Sequence, residues 1–215
     1  MIRIKKSGCC PKSLLSKKKY DGEDVKKQIL DDQNDKCYIC ERILTTDFEI
    51  EHLRSKNNYL DLKYDWNNLL VSCKYCNDKK SDLFDNIPNP VTNNIEDEIE
   101  QRIDFKYRKA VFKSNKNAPE LCECIELLNR IYNGTGRLRK IKEERFFNEL
   151  SDNLSHFCGL VKDYLESPTI ENKKEIEEEL SIYSESLGFK YWIIKDNPNL
   201  YSVFKSFLNW NRKIS

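Results

Sequence analysis

The fold is decided by two C-x-x-C pairs, Cys37-Tyr38-Ile39-Cys40 and Cys73-Lys74-Tyr75-Cys76, which are separated by 32 residues. Each pair can form a tight turn that directs two thiolates at one tetrahedral zinc ion. Four thiolates fill the coordination sphere and leave no position for water, so this zinc is expected to be structural. The sequence therefore predicts an insert of 32 residues whose two ends are fastened together by Zn²⁺.

The insert and the residues after it have the pattern of a small platform. Residues 47 to 53 alternate apolar and polar side chains, which is typical of a short, half-buried strand. A polar loop from 54 to 63 follows, and residues 65 to 73 end in an apolar run that predicts a second strand. Residues 77 to 84 are polar with an apolar pair at their end, which indicates a helix of about two turns. Such a platform is small enough to depend on its zinc.

Three polar groups are expected to meet on this platform. His52 follows Glu51 at the end of the first strand, Asn68 begins the second strand, and Asn77 follows the last zinc cysteine. A single histidine on an apolar strand face is usually an ordinary core residue. Here an acid–histidine pair and two amides lie between or beside zinc ligands, and this convergence favours an active site.

These motifs resemble those of the HNH nuclease family, whose zinc-bearing members share the ββα-metal fold. The resemblance is carried by Cys37 and Cys40, Glu51-His52, Asn68-Leu69, Cys73 and Cys76, Asn77 and Lys80. It implies that His52 is the general base and that Asn68 orients the loop bearing the histidine. It also implies that Glu51 and Asn77 bind the catalytic divalent ion. Glu replaces the commoner Asp before the histidine and Asn replaces the final His, so this oxygen-rich site favours Mg²⁺ or Mn²⁺.

The chemistry needs these residue types for a physical reason of its own. Phosphodiester hydrolysis requires a base that takes a proton from the attacking water, and a neutral imidazole can do so near pH 7. A divalent ion offsets the negative charge that gathers in the transition state. Lys79 and Lys80 are candidates for binding a flanking phosphate of the substrate, although two lysines on a short helix can equally be solvated.

DNA is the expected substrate, and the chain shows no recognisable element for reading its sequence. An RNA-cleaving enzyme of the same chemistry is an alternative, because the motif does not read the 2′-hydroxyl. A zinc-stapled module that has lost catalysis and only binds nucleic acid or protein is another. The intact Glu51, His52 and Asn77 count against that alternative.

Motifs outside the platform resemble the PtuB family, the HNH component of Septu anti-phage systems. They are Met1-Ile2-Arg3-Ile4-Lys5-Lys6, Pro11, Leu14-Leu15, Asn89-Pro90 and Leu127-Leu128-Asn129. The resemblance implies an ABC-type ATPase, PtuA, as the partner. Members of the family also occur with some retrons, which adds a reverse transcriptase and its nucleic acid as possible partners.

The chain divides into three predicted parts, and the fold class is α+β, mainly α. Residues 1–36 form a basic N-terminal segment and a helix, residues 37–85 form the HNH core, and residues 86–215 form a mainly helical region. Residues 98–114 predict a β-hairpin, with a helix beginning near Ile95 as the alternative. Helices are predicted at 24–34, from 119 to the stop signal Asn133-Gly134, and at 139–166, 171–187 and 200–212. Gly188 is read as the stop signal of the helix 171–187.

Charge and hydropathy exclude several classes of protein. The net charge is +1, but residues 1–20 hold seven basic and no acidic side chains, whereas residues 166–187 hold seven Glu and two Lys. No apolar run approaches the roughly 18 residues that a membrane span needs, so no membrane partner is expected. The first six residues lead into no apolar segment of a secretory signal, and the bacterial cytoplasm is the expected location.

Overall fold

The structure, a computed structural model, describes residues 1–210 of the chain. Within that range the fold is α+β and mainly α, as predicted. Two antiparallel strand pairs are present, β1 Phe48–His52 with β2 Leu69–Cys73 and β3 Glu100–Asp104 with β4 Lys109–Lys113. The helices are α1 Lys12–Leu15, α2 Glu23–Gln33, α3 Lys74–Lys80, α4 Ile95–Glu98, α5 Pro119–Tyr132, α6 Ile141–Glu166, α7 Ile170–Glu179, α8 Leu187–Lys195 and α9 Pro198–Phe204.

Strands β1 and β2 and helix α3 follow one another around the two cysteine pairs. The strand register sets Phe48 opposite Cys73 and His52 opposite Leu69. Helix α3 begins directly after β2, so the predicted ββα arrangement is confirmed. The helix begins at Lys74, three residues earlier than predicted. The cause is the second cysteine pair itself, because the Cys73 sulfur accepts the backbone amide of Cys76 at 3.4 Å and caps the helix.

Two apolar clusters hold the described chain together. The first joins the N-terminal segment, the zinc platform, the β3–β4 hairpin and helices α5 and α6, and its members include Met1, Ile4, Val25, Ile39, Leu70, Ile99, Leu128 and Phe147. The second lies between helices α6 to α9, and its members include Phe157, Val161, Ile176, Leu187, Tyr191, Phe204 and Trp210. The platform is therefore packed on helices that follow it in the chain. The division at residues 36/37 and 85/86 stays a prediction.

Helix α6 connects the two clusters because its apolar residues recur every three or four positions. Phe146, Phe147 and Leu150 belong to the first cluster, and Phe157 and Val161 belong to the second. Polar side chains cover its other face. In residues 1–210 no helix is both long and apolar enough to cross a membrane.

The C-terminal helices differ from the prediction in one important way. Helix α7 ends at Glu179 rather than at residue 187, and Leu187–Lys195 forms a separate helix, α8, that the sequence pattern did not indicate. Gly188 lies inside α8 and does not stop it. A Cβ atom at this position would lie 2.5 Å from the Gln101 side chain, so the glycine serves close packing of α8 on β3.

The other predicted elements of this half are present with altered ends. The hairpin forms at residues 100–113, and the competing helix is a single turn, α4, placed directly before it. The predicted helix 200–212 is α9 followed by a 3₁₀ turn, Lys205–Leu208. The predicted end of that helix, Asn211 and Arg212, lies outside the described residues.

The N-terminal segment is not a free basic tail. Met1, Ile2 and Ile4 are buried, and the Ile4 amide donates to the carbonyl of Pro90 at 2.9 Å. The ammonium of Lys6 lies 3.6 Å from the centre of the Trp66 ring and donates to the Trp66 carbonyl at 2.5 Å. The segment therefore supports the loop that precedes β2.

Candidate active site

The four cysteines of the two C-x-x-C pairs meet at one point. Their sulfur atoms all lie within 4.8 Å of one another, and Cys40 and Cys73 have their sulfurs 3.9 Å apart. Zn–S bonds of about 2.3 Å in a tetrahedron place sulfurs about 3.8 Å apart, so the cluster fits a zinc ion. All four side chains are buried. The residues predicted to bind the structural zinc are thus brought together in the geometry that zinc needs.

An open cleft of about 440 Å³ lies along β1, beside the zinc cluster. Its walls come from the end of the N-terminal segment, from β1, from the start of the following loop and from α3. The lining includes Glu49, Glu51, His52, Asn77 and Asp82, together with the cations of Lys26 and Lys56. A wall rich in carboxylate and amide oxygens is suited to a hard divalent cation.

His52 has one ring nitrogen occupied by the protein. Its Nε2 lies 3.0 Å from the carbonyl oxygen of Lys63, which can only accept, so Nε2 carries the proton and Nδ1 is the basic nitrogen of the neutral ring. The Tyr20 ring packs edge-on against the imidazole with centroids 4.7 Å apart. Burial lowers the pKa of His52 below its ordinary value. The structure thus holds a neutral imidazole at the wall of the cleft.

Asn68 fastens the loop that joins β1 to β2. Its Oδ1 accepts the backbone amide of Arg54 at 2.8 Å, and its Nδ2 donates to the carbonyls of Arg54 at 3.0 Å and Leu62 at 3.2 Å. Leu62 directly precedes Lys63, whose carbonyl holds His52. These contacts fix the loop that carries the Lys63 carbonyl. The orienting role of Asn68 stays a prediction.

The two candidate metal ligands lie on different elements and face the same cleft. Glu51 is on β1 and Asn77 is on α3. The Asn77 amide Nδ2 donates to a carboxylate oxygen of Glu49, which leaves the Asn77 carbonyl oxygen as an acceptor. Glu49 was not predicted as a site residue, although its position two residues before Glu51 on a strand places it on the same face.

Residues 37–83 match the HNH endonuclease family. The chain is also 39% identical over 72 residues to the Septu protein PtuB from Bacillus thuringiensis. That match covers 32% of this chain and 28% of the length of the relative. No solved structure matches the chain. The matched segment, here termed the HNH segment, contains the zinc cysteines and the predicted residues Glu51, His52, Asn68 and Asn77.

Lys80 lies inside the HNH segment rather than on its surface. The side chain is fully buried, its ammonium is 2.8 Å from Glu51 Oε1 and 3.8 Å from Asp85, and it donates to the carbonyl of His52 at 3.1 Å. The expectation that Lys80 binds a flanking phosphate does not fit this position, because a buried, paired ammonium cannot reach one. Lys80 instead holds the strand end that carries Glu51 and His52.

Burial governs the charge of Glu51. Removal of the carboxyl group from water raises its pKa above the ordinary value, and Lys80 opposes this rise. Lys80 pairs with Oε1 of Glu51, and Glu51 also lines the cleft.

Lys79 points away from the cleft, toward helix α6. Its ammonium forms a short ion pair with Glu143 in the first turn of that helix, and the Glu143 side chain is buried. The predicted phosphate contact of Lys79 therefore competes with a strong internal partner. The pair joins the HNH segment to the helical region.

The sequence pattern missed the residues that complete the cleft wall from outside the HNH motif. Lys56 donates from its ammonium to the Tyr20 hydroxyl at 2.9 Å, and both residues line the cleft with Lys26. Tyr20 directly follows the lysine-rich residues 12–19 at the basic end of the chain. Lys56 lies in the polar loop, where nothing in the sequence distinguishes it from its neighbours.

Proposed function

We propose that this protein is a metal-dependent endonuclease that hydrolyses phosphodiester bonds of DNA in the cleft along β1. The observation that carries the proposal is the state of His52. Its Nε2 is committed to the Lys63 carbonyl while the ring stands at the wall of a cleft that also presents Glu51 and Asn77. An imidazole held in this way is a proton acceptor next to an oxygen-rich cation site.

The donor set fits a hard divalent ion, Mg²⁺ or Mn²⁺, better than a second zinc. The Glu51 carboxylate and the Asn77 carbonyl oxygen would hold the ion, and the Glu49 carboxylate stands beside Asn77. The ion, when bound, supplies positive charge that stabilises the scissile phosphate in the transition state.

The protein's own groups provide the remaining parts of the reaction. His52 accepts a proton at Nδ1 from the water that attacks phosphorus. Asn68 keeps the imidazole aimed by fixing the loop of Lys63. Lys56, positioned by the Tyr20 hydroxyl, contributes a cation at the rim for a neighbouring phosphate. Lys80 keeps Glu51 in place from the inner side.

The biological role proposed is that of the nuclease subunit in a bacterial anti-phage system. Support comes from the similarity of the HNH segment to a protein named as part of Septu and from the flanking motifs of the PtuB family. The partner is then an ABC-type ATPase of the PtuA kind, which restrains or licenses cleavage in the cytoplasm. A retron reverse transcriptase is a further possible component.

The test is nicking of supercoiled plasmid DNA with Mg²⁺ or Mn²⁺ by the wild type and by His52→Ala. Loss of a general base is expected to slow cleavage by about 10²- to 10⁴-fold. His156→Ala is the matched control, because His156 is exposed on α6 and should leave the rate unchanged. Equal rates for the wild type and His52→Ala would refute the catalytic assignment.

Two further arms separate the alternatives. A parallel RNA substrate decides between DNA and RNA as the cleaved nucleic acid. Asn77→Ala should retain the zinc and the fold yet lose turnover, because it removes only a ligand of the catalytic ion. A protein that binds nucleic acid but cleaves neither DNA nor RNA would be the zinc-stapled binding module instead.

A further inference from the structure

A basic surface lies away from the cleft, where the β3–β4 hairpin meets the loop between α5 and α6. The two segments enclose an open depression of about 620 Å³. Asn133 accepts the amide of Ala110 at 3.0 Å and donates to its carbonyl at 2.8 Å, and Arg139 donates to the carbonyl of Arg108 at 2.7 Å. These bonds fix the hairpin and the loop to each other, so the surface is a built feature rather than two loose segments.

The positive charge of this surface is only partly compensated by acidic side chains. Glu144 is the acidic residue in its lining, and it is already shared by Arg108 at 2.6 Å and Arg139 at 3.5 Å. Lys109 and Arg137 also line the depression, are exposed, and form no ion pair with any residue that the structure describes. The adjacent Lys106 is also exposed and has no ion pair in residues 1–210. The basic surface is defined here by five cations, Lys106, Arg108, Lys109, Arg137 and Arg139.

The lysines of helix α7 differ from the cations of the basic surface in having acidic partners on their own helix. Lys173 lies 3.3 Å from Glu177, and Lys174 lies 3.7 Å from Glu178, each one helical turn away. The lysines of α7 thus have internal counter-charges, whereas Lys106, Lys109 and Arg137 are left for an external anion.

Side chains beside the cations suit a nucleic-acid backbone. Tyr107 is 71% exposed and Leu138 is 82% exposed, and both line the depression. An exposed aromatic ring among cations contacts sugars or bases while the cations contact phosphates. The shape is also appropriate, because an open depression with spread cations fits an extended polyanion better than a small ligand.

Helix α3 connects the basic surface to the cleft. Asn77 lines the cleft, while Lys79, two residues later, pairs with Glu143 at the start of α6. Glu143 in turn accepts the amide of Lys140, in the loop that carries Arg137. The two surfaces are thus linked through α3, the first turn of α6 and the loop before it.

We propose that the basic surface binds the phosphate backbone of the DNA at a site separate from the bond that lies in the cleft. The identity of the anion as DNA rests on the proposed function. The location and the sign of the charge rest on the contacts of the hairpin and the loop alone. The competing occupant is an acidic face of a protein partner. The experiment distinguishes this occupant from DNA.

The experiment measures binding of a 30-base-pair duplex, with no divalent ion added, by full-length protein in a His52→Ala background. The variant Lys109→Gln/Arg137→Gln should bind about tenfold more weakly at low salt, equally for different sequences. It should also lower the slope of log K against log salt by about 2, one for each lost phosphate contact. Adding Lys106→Gln should lower the slope by about one more.

The matched control is Lys173→Gln/Lys174→Gln on α7, which removes the same net charge from a surface outside the proposal. It should leave the affinity and the slope at the background values. Unchanged DNA binding in Lys109→Gln/Arg137→Gln overturns the proposal. Loss of association with an ATPase partner, with DNA binding intact, overturns it in favour of the protein occupant. Absence of duplex binding in the background protein also overturns it.

Failure of this proposal can be told apart from failure of the proposed function. A wild-type protein that cuts neither DNA nor RNA, combined with weaker binding by Lys109→Gln/Arg137→Gln, would refute the nuclease and retain the binding surface. Normal nicking by the wild type, combined with unchanged DNA binding by Lys109→Gln/Arg137→Gln, would retain the nuclease and refute the binding surface.

Discussion

The HNH segment and the C-terminal helices each bury one lysine completely, and the two lysines do different work. Lys80 lies between Glu51, at 2.8 Å, and Asp85, whereas Lys190 on α8 lies 2.5 Å from Glu179 at the end of α7. The Lys190 pair joins two helices. The Lys80 pair holds a carboxylate that opens onto a cleft. A buried Lys–Glu ion pair therefore links two helices in the C-terminal region, whereas in the HNH segment such a pair supports a candidate cation ligand.

The two regions also differ in what keeps them folded. The ββα unit of the HNH segment has strands of five residues and a helix of seven, and four thiolates meet beneath it. The C-terminal helices enclose an apolar cluster around Phe157, Leu187 and Phe204. A small unit of the first kind folds with its metal, whereas a packed helical unit is stabilised by apolar burial.

The largest effect is expected from Cys73→Ser, which removes one thiolate from the zinc site. Structural zinc contributes about 10–16 kcal/mol of apparent binding free energy in small zinc-dependent units, so the platform should lose its metal and unfold. The measurements are zinc per chain and amide hydrogen exchange. Protection should be lost in β1 and β2 and retained in α7 to α9.

Cys122→Ser is the control for that experiment, because Cys122 is an exposed cysteine on α5. It should change neither the zinc content nor the exchange pattern. A full complement of zinc in Cys73→Ser, or equal loss of protection in both regions, would break the contrast between them.

The second effect compares Lys80→Met with Lys190→Met by urea unfolding. Removing one partner of a buried ion pair costs about 3–5 kcal/mol because it leaves the other charge buried and alone. Lys80→Met should reach this range. Lys190→Met should cost less, because the Glu179 side chain is 28% exposed and can be hydrated again.

Activity separates the same two variants. Lys80→Met should also weaken plasmid nicking, because Glu51 loses the contact that holds it at the cleft. Lys190→Met should nick at the wild-type rate, since its pair lies outside the site. Equal activity of the two variants would show that Lys80 only stabilises the fold.

The smallest effect concerns Lys6, a half-buried lysine that has no ion pair in residues 1–210. Burial lowers its pKa to about 7, and the more distant Asp32 and Asp65 only partly oppose this. The unfolded chain keeps the proton up to about pH 10.5. Between these two values the unfolded state binds more protons, so stability rises with pH.

Lys6→Met removes that dependence. From pH 7 to pH 9, the unfolding free energy of the wild type should rise by up to about 2 kcal/mol relative to that of the variant. Urea unfolding at the two pH values measures this gain. A constant difference between the two proteins at both pH values would show that Lys6 keeps its proton in the folded state.

The platform could be predicted because its signals are local. Two C-x-x-C pairs, an alternating strand and an apolar strand each occupy fewer than ten residues, and each has one physical reading. The zinc cysteines and the ββα order follow from them. The start of α3 was missed because the sulfur of Cys73 caps the helix, and thiol caps are not among the usual helix start signals.

The remaining differences come from contacts between distant parts of the chain. The burial of Lys80 depends on Glu51, which lies 29 positions earlier, and no pattern in either segment announces the pair. Gly188 read as a helix stop because glycine usually ends a helix. A glycine occupies this position because the side chain of Gln101, on β3, leaves no room for a Cβ atom. Helix α8 was overlooked for the same reason.

Helix α3 has little freedom to vary. Five of its seven side chains have separate partners in the zinc cluster, the cleft, α5, α6 and β1, namely Tyr75, Cys76, Asn77, Lys79 and Lys80. Lys74 lies 3.3 Å from Asp78 and also 3.7 Å from Glu49 on β1. Six of the seven side chains of α3 therefore bind it to another part of the molecule, and a substitution at any of these six positions removes such a contact.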